Sequence, residues 1–342
     1  MASEISVLAA EVSPEWDDYV NTHPAGTFFH KSGWQYIITQ AFGHNCYYLQ
    51  ARSEGRLEGI LPLAHVRSLL FGNNLVSTPF CVYGGILASN KAAEKALREA
   101  ACDLARELQV DSLELRNIAS ADSGWAEKNL YVTFRKRMPE SVDEVLPFIP
   151  NKQRAVVRKG IKAGLTSEEG WHGRRMYDLY AESLRNLGTP VFGARYFDML
   201  RDVFGDDCRS LLIKSDGRDI AGVLSFYFRD QVLPYYAGSG SETRAMYAHA
   251  FMYAELMKNS VEQGLHWFDF GRSKAGTGSY SFKKNWGFEP EPLHYEYFLV
   301  KSDRVPEVNP MNPKYQLFIK AWKSLPLAVA NRIGPMLAKS LG

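Results

Sequence analysis

WFDFGRSKAGTGSYSFKKNWGFEPEP, residues 267–292, is the stretch from which the rest of the chain can be read. It opens as a strand, Trp267–Phe270, and turns at Gly271-Arg272 into a loop carrying Gly276 and Gly278. Phe282, Lys283, Lys284, Asn285, Trp286, Gly287 and Phe288 follow. A loop this rich in glycine can pass close to a ligand, and Arg272, Lys274, Lys283 and Lys284 concentrate positive charge there. Asp269, Glu289 and Glu291 flank it. Acyl transfer to an amine needs a group that stabilises a tetrahedral oxyanion and a route for the amine proton. A lysine serves the first need, and a carboxylate or water the second. A solvated loop bearing surface lysines contains the same residue types.

Upstream, Pro234-Tyr235-Tyr236-Ala237-Gly238-Ser239 ends a strand in small residues just before a long helix, Arg244–Gln263. A splayed strand end leading into a helix N-terminus turns backbone N–H groups toward a carbonyl oxygen or a phosphate. The same residues also make ordinary turns. Several other patterns carry no chemistry. Asp269-Phe270-Gly271 has the form of a kinase metal-binding triplet, but no HRD or VAIK accompanies it. Gly238-Ser239-Gly240 begins a dinucleotide fingerprint that fails at Thr243. No HExxH, GxSxG or Walker A is present.

Working outward, strands are expected at Tyr47–Ala51, Leu57–Val66, Leu75–Ser77, Asp111–Arg116 and Leu130–Phe134, with a helix over Lys91–Leu108 capped from Ser89-Asn90. The second half repeats this order. Helices at Arg175–Leu187 and Arg195–Phe204 precede strands at Arg209–Lys214, Ile220–Phe228 and Val232–Ala237, the first two joined by a turn at Asp216-Gly217. The long helix and strands Trp267–Phe270 and Tyr295–Val300 complete it. Helices, a meander, a long helix and two further strands in each half suit a tandem α+β fold. A chain of 342 residues also has the length of two domains.

The division read from this order is 1–138, a basic connector at 139–164, 165–303, and a basic amphipathic tail at 304–342. The connector holds Lys152, Arg154, Arg158, Lys159 and Lys162 without an acid, either a solvated helix face or a contact for phosphates. In the tail, Lys314, Lys320, Lys323, Arg332 and Lys339 interleave with Phe318, Trp322, Leu325, Leu327, Val329, Ile333, Met336 and Leu337. Such a segment either lies on an anionic membrane surface or caps the core of the first half. A net charge of +2 argues against a nucleic-acid coat protein. Cys46, Cys81, Cys102 and Cys208 are scattered, as in a cytoplasmic protein. The first residues show no signal-peptide pattern and no apolar run spans a membrane, so a cytoplasmic location, or a peripheral one at the inner face of the membrane, is expected.

YYAGS before the long helix, FDFG after it and FKKNWGFEPEPLHYEYFL beyond resemble the Fem-type peptidoglycan-bridge aminoacyltransferases. GTFFHKSGWQYIITQAFGHNCYYLQA, NKQRAVVRKGIKAGL, RNLGTPVFGARYF and NPKYQLFIKAWKSLPLAVANRIGP also fit, so the resemblance covers nearly the whole chain. It is to the FemAB-related branch associated with exopolysaccharide and exosortase (PEP-CTERM) systems in particular. The resemblance implies two tandem GNAT-like domains, each a mixed, mostly antiparallel sheet flanked by helices, the first completed by C-terminal elements. It implies transfer of an amino acid from aminoacyl-tRNA to an amine of a cell-wall peptide, with no bound cofactor. The catalytic lysine of the family corresponds to Lys283, following Phe282, and the substrate-cleft tyrosines to Tyr196 and Tyr236. Ser239 and Arg272 complete the expected substrate-binding set.

Two positions depart from the family. Where relatives place a lysine and an arginine on the diphosphate of a nucleotide-linked muropeptide, this chain has Tyr36 and Phe192. A different acceptor follows, an exopolysaccharide or a lipid-linked intermediate. Two alternatives stand beside this reading: a GNAT-type enzyme using acetyl-CoA or another acyl-CoA, and a non-catalytic accessory protein of a polysaccharide assembly system. The first lacks its usual (Q/R)xxGx(G/A) loop, since GSGSETRAM stands in that position.

Overall fold

A computed structural model describes residues 5–9, 12–68, 72–121, 123–240, 245–305 and 313–339. The chain divides into two compact units, Met1–Tyr131 with Pro292–Val308 and Lys339–Gly342, and Val132–Glu291 with Asn309–Ala338.

The first unit is a sheet in the order β1 (Ser6–Ala9), β2 (Asn45–Ser53), β3 (Arg56–Ser68), β4 (Gly72–Ser77), β6 (Ser112–Asn117), β17 (His294–Leu299), β7 (Ala126–Glu127), with β5 (Leu87–Ala88) on β3. All of these pairings are antiparallel except β4 with β6. The parallel link requires a crossover, supplied by α3 (Lys91–Glu107). The Asn90 side chain caps α3 by accepting the Ala93 N–H at 2.9 Å. Ala93, Leu97, Ala101 and Ala105 recur on one helical face and pack with Leu49, Ala51, Leu61, Leu63 and Leu113. Alternate residues of β2 serve the other side, where Tyr48 meets Trp16 of α1 (Trp16–Thr22) at 4.8 Å between ring centroids. α2 (Gly33–Ile37) adds Trp34, edge-on to Phe28.

The second unit repeats the plan. Its sheet runs β10 (Thr166–Gly170), β11 (Cys208–Ser215), β12 (Arg218–Phe228), β13 (Gln231–Ser239), β14 (Trp267–Asp269), β9 (Arg135–Arg137), antiparallel except β13 with β14. Asp216 and Gly217, at φ 51° and 75°, form the tight turn expected between β11 and β12. On one face lie α4 (Val142–Phe148), α5 (Asn151–Lys162) and α8 (Ala245–Glu262), contacting Ala221, Val223 and Tyr227 of β12 in a common core. On the other lie α6 (Gly173–Leu187) and α7 (Ala194–Phe204), against Gly222 and Phe226. A strand covered on both faces reads as a continuous apolar run, as Ile220–Phe228 does. Three short strands, β8 (Tyr131–Thr133), β15 (Ser273–Lys274) and β16 (Glu291–Pro292), lie outside both sheets, and α9 (Gly278–Asn285), α10 (Pro313–Lys323) and α11 (Leu327–Ala338) complete the elements.

The boundaries differ from those expected. Element order puts 130–137 in the first half and the strand at 295–300 in the second, but the pairing crosses them over. β9 joins the second sheet, with Trp267 opposite Arg137, and β17 joins the first, with His294 opposite Asn117. Alternation within a strand says which side chains are buried, not which sheet receives it. Nor is 139–164 a connector. Val145, Ile149 and Val157 are buried in the second core, and Arg154 donates to the Pro147 and Ile149 carbonyls at the end of α4. Lys152, Arg158, Lys159 and Lys162 are exposed. The tail helices α10 and α11 pack on α6 of the second unit, not on the first core.

All four cysteines are free thiols. Among the described residues, no helix is long and apolar enough to cross a membrane and no cluster of His, Cys, Asp and Glu could hold a metal ion.

Candidate active site

The candidate residues lie in the second unit, around two parallel strands that part. β13 and β14 pair only through Gln231 with Trp267 and Val232 with Phe268. Beyond that register β13 follows β12 to Ser239, while β14 ends at Asp269. Both strands advance in the same direction, so Tyr236 on β13 and the turn at Gly271 after β14 both lie past the carboxyl end of this pairing. Crevices at the carboxyl ends of parallel strands are where such sheets bind ligands.

A bulge shapes the β13 side. Ser225 faces Pro234 and Leu224 faces Tyr236, leaving Tyr235 as the extra residue. Pro234 has no N–H for the ladder, so a bulge is where a strand tolerates it. Here the Tyr236 hydroxyl lies 2.8 Å from that of Tyr196 on α7. Both are buried. The rings of Tyr180 and Phe197 stand edge-on to Tyr236, each at 5.3 Å. Burial holds the Tyr236 phenol well above its ordinary range, so it is a neutral hydrogen-bonding group at any physiological pH. Phe192 closes the cluster, 4.9 Å from Tyr196, and brings no cation. Tyr36, the other position that departs from the Fem-type pattern, is exposed on α2 in the first unit.

Lys283 forms the second group. Thr277 accepts the Tyr280 N–H and so starts α9, which turns Lys283 inward while Lys284 faces solvent. The Lys283 Nζ donates to the carbonyls of Gly271 at 2.9 Å and Arg272 at 3.0 Å. Gly271, at φ 66°, makes the left-handed turn that follows β14, and its N–H donates to Asp269 Oδ1 at 2.7 Å. An ammonium has three N–H donors, so two carbonyls leave one for a ligand. Burial lowers the Lys283 pKa to about 7; the Asp269 carboxylate opposes the shift and the Arg272 guanidinium adds to it. The amine therefore changes charge near neutral pH.

The candidates thus sort into two groups, Tyr196 with Tyr236 and Lys283 with Arg272. Phe282 takes neither part. Its ring packs on Tyr253, Phe270 and Trp286, at 5.7, 6.2 and 6.1 Å, as part of the core. Ser239 is the last paired residue of β13, opposite Ala221. The helix N-terminus expected to offer amides beyond it, at 241–244, lies outside the described residues. Gly238 is small for a different reason from the one expected. A Cβ there would lie 2.5 Å from Tyr180 Cα and 2.6 Å from the Leu179 carbonyl oxygen, so the residue admits the backbone of α6 against the strand. Gly238→Ala is expected to lower unfolding stability by about 1–3 kcal/mol in urea titrations, since the neighbour is backbone and cannot rotate away. An unchanged midpoint would show that α6 shifts freely.

Asp269, which the sequence marks only as a flanking acid, supports Lys283 through the turn at Gly271. Asp269 is buried, 3.6 Å from Arg135 Nε, and Thr133 Oγ1 approaches its Oδ1 at 3.4 Å. The available signal was an acid set alone in the apolar strand WFDF.

Residues 151–284 match a family model described as an Acetyltransferase (GNAT) domain. Among solved structures the chain is similar to FemX, with 16% identity, 92% of this chain and 100% of that one covered, and a TM-score of 0.67. It is similar to L-PGS from Bacillus licheniformis, with 14% identity, 93% and 99% covered, and a TM-score of 0.57. A third likeness is to a tandem GNAT protein from the clavulanic acid biosynthesis pathway, at 13% identity, 88% and 100% covered, and a TM-score of 0.55. At these identities the likeness shows the fold, an α+β arrangement of two mixed sheets flanked by helices shared over most of the chain. No curated protein matches the sequence.

Proposed function

We propose that this chain is an acyltransferase that moves an aminoacyl group from aminoacyl-tRNA to an amine of a cell-envelope or exopolysaccharide-linked acceptor. The observation that carries the reading is the buried Lys283 amine, held by two backbone carbonyls at the parting of β13 and β14. The acceptor amine attacks the ester carbonyl, an N–C bond forms, and the carbonyl oxygen becomes an oxyanion. As the tetrahedral intermediate collapses the C–O ester bond breaks, and the amine proton ends on the departing 3′ oxygen. A lysine ammonium in a low-dielectric setting stabilises both the oxyanion and the charge developing on the leaving oxygen. Tyr196 and Tyr236, as neutral phenols, suit the orientation of polar groups on the substrate. The resemblance to Fem-type enzymes and the fold shared with FemX support the tRNA donor. Phe192 and Tyr36 argue for an acceptor other than a nucleotide-linked muropeptide. A lipid-linked acceptor at the inner face of the membrane fits this requirement.

The match of residues 151–284 to the GNAT domain favours a second reading, an N-acyltransferase using an acyl-CoA. A donor competition decides between them. Labelled aminoacyl-tRNA and labelled acetyl-CoA are offered to the purified protein with cell-envelope and polysaccharide extracts as acceptors. Label is expected to pass from aminoacyl-tRNA. Transfer from acetyl-CoA alone would overturn the first reading, and transfer from neither would favour an accessory role.

A further inference from the structure

α11 reads LAVANRIGPMLA, and Asn331 and Arg332 are its only polar side chains. A helix that is apolar all round belongs in a core. This one lies at the surface with its smallest residues turned inward. Ala330, Gly334 and Ala338 recur along the buried face, and a Cβ on Gly334 would lie 3.0 Å from the Val191 carbonyl oxygen. Of the larger side chains, Leu327, Ile333 and Leu337 are half-buried, while Val329, Arg332 and Met336 form one exposed stripe at helical spacing. α10 also leaves apolar side chains exposed, though it buries a large one. Trp322 anchors it, while Leu317 is 70% exposed and Phe318 is exposed beside Lys320 and Lys323. Leu187, 63% exposed at the end of α6, adjoins α10: the next residue, Gly188, abuts Ile319, and Arg185 donates to the Lys323 carbonyl at 3.4 Å. Single exposed apolar residues are ordinary, but a group gathered on one region marks a contact surface.

The charge says what kind of surface would cover it. Lys320, Lys323 and Arg332 are exposed among these apolar side chains, and neither α10 nor α11 contains an acidic residue. The nearest acids to α11 are Asp178 and Glu182 of α6 and Asp219, which line a hollow with Leu327, Ala328 and Asn331, and Asp178 and Asp219 pair with Arg174 and Arg175 there. A second copy seated on the same face would set these cations against their own counterparts, which is unfavourable. Anionic lipid matches both features, taking apolar side chains into the acyl boundary and meeting cations with headgroup phosphates.

We infer that α10, α11 and the end of α6 form a surface that docks on an anionic lipid bilayer. The inference is independent of Lys283 and of the donor. It is tested with the whole 342-residue chain by flotation on vesicles of phosphatidylglycerol with phosphatidylcholine, and on phosphatidylcholine alone. Three cations near the surface predict a preference for anionic vesicles of about a hundredfold, weakening as salt rises. Leu317→Ser with Met336→Ser, and separately Lys320→Glu with Arg332→Glu, are each expected to reduce partitioning at least about tenfold. These side chains are exposed, so circular-dichroism melts should match the unmodified chain. Equal binding to neutral vesicles, no binding to either, or binding that both variants leave unchanged would overturn the inference. So would a dimer in vesicle-free solution that the Leu317 and Met336 substitutions dissociate, which would assign the face to a second copy.

Discussion

Lys283→Met is expected to lower kcat by about a hundredfold to a thousandfold, with a smaller change in KM. Methionine approximates the length of the lysine stem, but it lacks the amine that lies 5.7 Å from the Phe134 ring centroid and offers neither charge nor N–H to an oxyanion. Loss of a single preorganised donor of this kind has about that effect on the chemical step. Lys283→Arg should not restore the rate. A guanidinium is larger, and the two carbonyls that accept from Nζ at 2.9 and 3.0 Å are set for a compact amine. Full activity in the methionine variant would remove Lys283 from the mechanism and leave the tyrosine pair as the remaining candidate.

Stability gives the same variant a second readout that does not depend on knowing the substrate. The lysine pKa is lowered from 10.5 to about 7 on folding, so between those values the unfolded chain holds a proton that the folded chain has released. Stability contributed by this group therefore rises with pH across that window, and the full penalty for a buried ammonium applies below about 7. Lys283→Met lacks this slope. Denaturant titrations at two pH values inside the window should show stability rising with pH in the unmodified chain and rising less in the variant. Parallel pH dependence in the two proteins would show that Lys283 is not the buried, readily deprotonated amine described here.

Much of the fold was legible because each element has a local cause. The Asn90 cap, the apolar repeat of α3 and the Asp216-Gly217 turn all act within a few residues of themselves. Strand exchange was not legible in the residue pattern, because β9 and β17 carry no mark of the sheet that receives them; only the family resemblance implied that C-terminal elements complete the first domain. In the site, Lys283, Tyr196 and Tyr236 emerged from the family resemblance, and the pairing of the two tyrosines depends on a bulge that Pro234 signals only in hindsight. Gly238 was legible as small but not as a seat for α6, since a glycine does not say whether a turn, a ligand or another backbone requires it. The role of Asp269 required knowing that β14 is buried on both sides and that the chain turns back at Gly271. That information lies in tertiary packing and not in residue type.

Asp269→Asn should shift the pH dependence of activity rather than abolish it. Asparagine preserves the shape, and its amide oxygen can still accept the Gly271 N–H, so the turn that aims two carbonyls at Lys283 is retained. What disappears is a negative charge that holds the Lys283 pKa up against burial. The lysine pKa in the variant therefore falls below about 7. If the ammonium is the working form, kcat/KM in the unmodified protein declines as pH rises through about 7, and in the variant that decline begins at lower pH. A drop of one unit lowers the protonated fraction about tenfold at pH values above both pKa values, and activity should recover on acidification. Lys283→Met, by contrast, should show no such recovery. A variant more active than the unmodified protein on the acid side would reverse the assignment, making neutral Lys283 a general base that accepts the amine proton. Arg135, 3.6 Å from Asp269 and partly exposed, loses its carboxylate as well, so some loss of stability is expected. That loss acts on unfolding and cannot reproduce a rate that returns at low pH, which separates the positioning role of Asp269 from simple damage to the fold.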